Sequence, residues 1–352
     1  SENIFIGDEA GAGPIAGGEY NVAIGNHSLD ALTSGDENTS VGYHSMGGVT
    51  TGKENVAIGY TAMQGLTTGD DNIAIGRTAM RNGVTTGDSN IAIGGEAGDN
   101  ITGASGIIAI GHRAGDGITT GGGGIHIGYD AGRTYDTENH NIGIGNYSLG
   151  VAIAGGEQNI AIGYQTLDAL TSGDDNVAIG YQAGSALTEG LRMTAIGKYA
   201  GLALTTAIDC TFVGETAGSA ITTGRSNGAF GKAALSNTDT EAHNLAIGVG
   251  ALSGAINGGE YNVAVGNYTL DALTSGDQTT ALGHNAATRV TTSNFCTYLG
   301  SEAGVQVTTG NHNVGIGYQS GGSEAESTGS ENVTLGNYAG FGITSGSSNT
   351  IL

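Results

Sequence analysis

The sequence predicts an all-β fold, a parallel β-solenoid (β-roll) of about 20 coils of 17 residues. Three observations predict it: a glycine marker that recurs at fixed intervals, an aliphatic pattern locked to that marker, and a composition too poor in large side chains for an ordinary core. The markers are Gly7, Gly25, Gly42, Gly59, Gly76, Gly94, Gly111, Gly128, Gly145, Gly163, Gly180, Gly197, Gly214, Gly231, Gly248, Gly266, Gly283, Gly300, Gly317 and Gly336. Fourteen of the nineteen intervals are 17 residues, four are 18 and one is 19. A fixed short period is the mark of a repeat architecture.

Composition narrows the choice. A chain of 352 residues ordinarily makes two or three globular domains, yet this one has 68 glycines, one proline, no tryptophan and five phenylalanines. Large aromatics carry much of a conventional core. Glycine at every third position is missing, which excludes collagen. Aliphatic residues at fixed places exclude disorder. The net charge of −23 argues against nucleic acid as a partner and against an anionic membrane face. No run approaches 18 apolar residues, so no membrane-inserting helix is expected.

The repeat reads N-[VI]-A-I-G-x-x-A-x-x-x-[LI]-T-[TS]-G-D-x, as in the copy running from Asn176 to Gly190. The residue before the marker glycine is hydrophobic in all twenty copies. It alternates with a small residue and a second aliphatic, which is the period of a strand. The two aliphatics are expected to face the core. A second core site follows seven residues after the marker, at Leu32, Leu66, Leu170, Leu187 and Leu273. In the four 18-residue copies it falls eight after, at Ile15, Val84, Ile153 and Ile256, so the extra residue always enters the same turn. One copy is too short for a helix–turn–helix and is rich in residues that disfavour helix. Stacked coils with two strands each, N-V-A-I and A-L-T-T, are therefore expected, with glycines supplying the turns.

Asparagine precedes the first strand in fourteen of twenty copies. Asn21, Asn55, Asn72, Asn159, Asn176 and Asn262 belong to this row, which is expected to form a structural side-chain ladder. Cys210 and Cys296 occupy the same slot five copies apart, too far for a disulfide.

The unit resembles repeats of bacteriophage tail fibres and related bacterial surface proteins, which read N-x-A-I-G-Y-Q-A-G-x-x-L-T-T-G. It is also similar in look to the heads of trimeric autotransporter adhesins. The resemblance covers the whole chain. It implies a structural and adhesive fibre shaft, extracellular, on a virion tail or a cell surface, that attaches to a glycan or protein receptor of the host. It further implies a left-handed roll assembled side by side as a homotrimer. An extracellular filament that stacks coils end to end is the alternative, and an ice- or glycan-binding solenoid a further one. The chain is expected to be one continuous solenoid domain over 1–352, a segment of a longer fibre, and no enzyme.

Four sets of residues are candidates for contact. The strand-centre residues Ala23, Ala57, Ala74, Ala161, Ala178, Phe212, Ala246, Ala264 and Tyr298 alternate with the presumed core aliphatics, so they are expected to face outward as an inter-chain stripe. Tyr43, Tyr60, Tyr164 and Tyr181 follow the marker glycine and offer rings for glycan contact. Asp36, Asp70, Asp71, Asp174, Asp175 and Asp277 form an acidic row that solubilises the particle or offers oxygen ligands to Ca²⁺. His27 and His44 share a slot in neighbouring copies, which brings their rings close, but a metal site needs further ligands. No cofactor and no catalytic group is singled out.

Overall fold

A computed structural model describes residues 2–82, 86–134, 137–150 and 155–352. The fold is an all-β parallel β-solenoid, and no helix occurs among the described residues. Val84 and Ile153, two of the expected second core sites, lie outside the described residues.

The chain divides into two compact units, Ser1–Asp175 and Asn176–Leu352. The first carries ten short strands, from Ile4–Ile6 to Ile160–Ile162, and the second carries eleven, from Val177–Ile179 to Thr350–Ile351. Within each unit, successive strands pair in parallel and in register. In the first, Val56, Ala57 and Ile58 lie beside Ile73, Ala74 and Ile75. In the second, Val177, Ala178 and Ile179 lie beside Thr194, Ala195 and Ile196. Each repeat is thus one coil, and each residue sits over its equivalent in the next.

The marker glycine ends the strand for a steric reason. Its φ lies between +125° and +143° throughout, a conformation closed to L side chains. A β-carbon on Gly197 would stand 2.5 Å from the carbonyl oxygen of Gly214 in the next coil. The row of glycines is therefore a line of backbone-to-backbone contact with no room for a methyl group.

Three further places in a 17-residue coil take the left-handed conformation, and most carry ordinary residues. In the second coil of the first unit they are His27 (φ 58°), Leu29 (φ 52°) and Glu37 (φ 59°). Sequence reasoning assigned such turns to glycine alone. Non-glycine residues accept the cost, of order 1 kcal/mol each, because backbone bonds on the coil above and below fix the conformation.

Two expectations about the strands are corrected. The A-L-T-T segment is not a second strand; among the described residues it forms no named strand, and isolated bridges appear outside the strands, such as Leu191 with Ile208 and Val307 with Ser327. The reason is the bonding pattern. The N–H groups of Thr33 and Ser34 both donate to the carbonyl of Thr50, and those of Thr50 and Thr51 both donate to Thr67. An extended ladder would use each carbonyl once. The hydroxyl of the first threonine adds a bond to the same carbonyl, as from Thr33 to Thr50 at 2.9 Å and from Thr205 to Thr222 at 3.1 Å.

The second correction concerns the two faces of the strand. The central residue points inward and the flanking aliphatics point outward. Ala23, Ala57, Ala74, Ala161, Ala178, Phe212, Ala246 and Ala264 are 0% exposed and Tyr298 is 1% exposed. Ile58, by contrast, is 41% exposed and Leu282 is 50% exposed. The interior of a coil is narrow. It already holds the buried residue four places after the marker (Leu29, Met46, Met63, Leu167, Leu235) and the one seven places after (Leu32, Val49, Leu66, Leu170). Where the first of these is large, little beyond a methyl group fits at the strand centre. The second core sites Leu32, Leu66, Leu170, Leu187, Leu273 and Ile256 are buried as expected, and Ile15 is partly exposed.

Candidate functional site: the outward strand face and its flanking ladders

Turning the strand inside out moves the candidate contact surface. Because Ala23 and its equivalents are sealed in the interior of a single chain, they cannot form a stripe between chains. The outward face carries instead two rows of aliphatics, one on each side of the buried centre. In the first unit the rows include Val22 and Ile24, Val56 and Ile58, Ile73 and Ile75, Ile91 and Ile93. In the second they include Val177 and Ile179, Leu245 and Ile247, Val263 and Val265. These side chains are half-buried or exposed, and in-register pairing places each beside its like. β-Branched residues suit this position because they pack against their neighbours above and below on the pleat.

One edge of this face is lined by aromatics. Tyr43, Tyr60, Tyr164 and Tyr181 are all exposed, as the sequence suggested. Tyr43 and Tyr60 stack with ring centroids 5.4 Å apart and planes within 12°. Tyr147 meets Tyr164 edge to face, and Tyr181 meets Tyr199 in the same way. Exposed ring faces of this kind are suited to the apolar face of a sugar.

Behind the other edge runs the asparagine ladder, and it forms as expected. The amide oxygen of Asn55 accepts from the backbone N–H of Asn72 at 2.9 Å and from its side-chain amide at 3.1 Å. The Asn55 amide donates to the carbonyl of Gly69 at 2.8 Å. Asn21 and Asn72 repeat this arrangement. Asn159, Asn176 and Asn262 make the same bond to a glycine carbonyl of the next coil, each at 2.8 Å. All six are fully buried. Cys210 and Cys296 substitute in the row, each thiol 3.3 Å from the equivalent carbonyl. Both are free, and burial pushes the Cys210 thiol up to about 11, so it is a packing group and a poor nucleophile.

The acidic row proves to be a set of turn caps. Carboxylate oxygens of Asp36, Asp70, Asp174 and Asp277 accept the backbone N–H of Glu19, Lys53, Glu157 and Glu260 in the preceding coil, at 2.8–3.0 Å. Ser105, Asn139 and Asn294 do the same elsewhere without charge. Asp71 and Asp175 take the left-handed turn position beside them. The bond from Lys53 holds the Asp36 carboxyl below the usual range, whereas repulsion from Asp71 and then Glu37 raises that of Glu54. Among the described residues this row does not bring three ligand atoms within 4.8 Å of one another.

No protein-family model matches the chain, and no curated protein does either.

One cluster was only half visible in the sequence. His27 and His44 do stack, with ring centroids 4.9 Å apart, and Asp30 joins them from the same coil as His27. Asp30 carried no signal of its own, since aspartate is common throughout the chain.

Proposed function

We propose that this chain is the shaft of an extracellular adhesive fibre, of the phage tail-fibre or cell-surface adhesin kind, and that copies of it associate side by side as a homotrimer through the outward Val/Ile face. The observation that carries the reading is the double row of exposed aliphatics repeated on coil after coil. Monomers seldom expose apolar patches beyond a few hundred Å². With two partly exposed aliphatics in nearly every coil, the first unit offers on the order of 1,000 Å², comparable with what one partner contributes to a stable interface; in the second unit Thr194, Thr211, Gly228, Thr280 and Thr297 interrupt one of the two rows.

The spacing of the rows favours a second copy of the chain as the partner. A surface that packs along many coils must present apolar side chains at the same interval, and this chain does. The trimer itself, and the tail-fibre or adhesin setting, rest on the likeness of the repeat. The tyrosine edge supports a host glycan as the receptor chemistry, with a protein receptor as the alternative. Solubilising carboxylates on the turns keep such a particle from unspecific clumping.

Sedimentation equilibrium tests the reading. The wild-type chain is expected at three times its monomer mass at micromolar concentration. The triple variant Ile58→Lys, Ile75→Lys, Ile93→Lys is expected to sediment as a monomer with an unchanged circular dichroism spectrum. A wild-type monomer at high protein concentration would contradict it.

A further inference from the structure

We propose that His27, Asp30 and His44 form a binding site for a divalent transition-metal ion of the zinc class. The three residues each offer one ligand atom, and these atoms lie within 4.8 Å of one another. Neighbouring donors around a tetrahedral zinc stand about 3.4 Å apart, given bonds of about 2.0–2.1 Å, so small side-chain rotations close the set. His27 Nδ1 is already 3.7 Å from Asp30 Oδ2.

Two further observations point to a ligand. The Nδ1 atom of His44 is buried and has no hydrogen-bond partner. A buried acceptor or donor left unpaired is costly, and a metal ion would satisfy it. The backbone also leaves space at this point. A β-carbon on Gly47 would stand 2.8 Å from His44 Nδ1 and 3.2 Å from Asp30 Oδ1. The two donors therefore flank one spot that glycine keeps clear, where the next two coils carry Gln64 and Arg81.

The donor set fixes the class of ion. Two imidazoles and one carboxylate suit Zn²⁺, and also Co²⁺, Ni²⁺ or Cu²⁺, while Ca²⁺ and Mg²⁺ prefer oxygen throughout. Three protein donors leave one position to water or to Glu9, whose Oε2 is 3.1 Å from His27 Nδ1. The combination is local. Histidine at the second place after the marker and aspartate at the fifth coincide in a single coil, the one that begins at Gly25.

The repeat supplies its own conservative variants. Gln165, Gln182 and Gln319 fill the slot of His27 and His44 in other coils, and Gln64 fills that of Asp30. Titration of the full, untagged chain with ZnCl₂ by calorimetry is expected to give one site per chain. His44→Gln, His27→Gln and Asp30→Gln are each expected to weaken it tenfold or more without altering the circular dichroism spectrum. The control His312→Gln is expected to leave it unchanged. A wild-type chain that binds no Zn²⁺, or binding that survives both histidine substitutions, would overturn the proposal. A Zn²⁺-dependent rise in Tm seen in the wild type and absent from His44→Gln supplies a second readout.

Discussion

The ring of Phe212 fills the space that a side chain at Gly218 would need: a β-carbon built on Gly218 lies 2.6 Å from the ring. The relationship recurs. Gly11 stands in the same way against Phe5 at 2.7 Å, Gly304 against Tyr298 at 2.5 Å, and Gly132 against His126. Where the strand centre is alanine, the residue six places on is free to be large, as in Ala23 with Leu29, Ala57 with Met63 and Ala246 with Leu252. Each coil thus divides one small interior volume between these two positions.

This division predicts a compensating pair. Gly218→Leu alone forces a leucine into the Phe212 ring and is expected to destabilise by about 2–3 kcal/mol through overpacking. The left-handed backbone adds a cost of order 1 kcal/mol but does not forbid the leucine, because Leu235 adopts φ 52° at the equivalent place. Combined with Phe212→Ala, the coil becomes equivalent to its neighbour Ala229 with Leu235, and most of the loss is expected to return. Urea unfolding of the two single variants and the double variant measures the coupling.

Asn55→Ala removes the partners of the Asn72 backbone N–H and of the Gly69 carbonyl, both buried. A loss of about 2–6 kcal/mol is expected, from two orphaned groups at about 1–3 kcal/mol each. Asn55→Cys is expected to cost less, since Cys210 and Cys296 keep the bond to the next coil's carbonyl in their own places. Thermal unfolding of the two variants side by side checks the order.

His126 is fully buried, and burial depresses its pKa from 6.5 to about 4. A depressed pKa means that the unfolded chain binds the proton first. The contribution of neutral His126 to stability is therefore complete above pH 6.5 and is lost as pH falls towards 4. The loss is expected to reach about 3 kcal/mol. His126→Phe places in this slot the residue that Phe212 already provides. The variant is expected to lack this part of the acid sensitivity, which unfolding at pH 7 and pH 4.5 reads as a difference from wild type.

Much of this was legible in the residues. The marker glycines gave the coil, the position of the extra residue in the 18-residue copies gave the turn that tolerates insertion, and Asn21 to Asn262 gave the inner ladder. The strand faces were not legible from hydrophobicity. A strand of three residues, such as Val56–Ile58, offers one alternation, and transfer energy alone would bury Val56 and Ile58 before Ala57. Steric volume decided otherwise, because Met63 and Leu66 occupy the interior first. A usable signal was present: Phe5, His126, Phe212 and Tyr298 are each followed six residues later by glycine. Left-handed turns at Leu29 or Met46 left no trace in the sequence, since tertiary bonding alone maintains them.

Register is the claim on which the rest stands, and paired cysteines test it most directly. Ser34 and Thr51 are exposed equivalents in successive coils, and parallel neighbours about 4.8 Å apart fall within disulfide range. The double variant Ser34→Cys, Thr51→Cys is expected to form an intrachain disulfide readily in dilute, mildly oxidising buffer, while Ser34→Cys with Thr68→Cys, two coils apart, is not. Equal bridging of both pairs, or bridging of the second alone, would contradict the stacked coil.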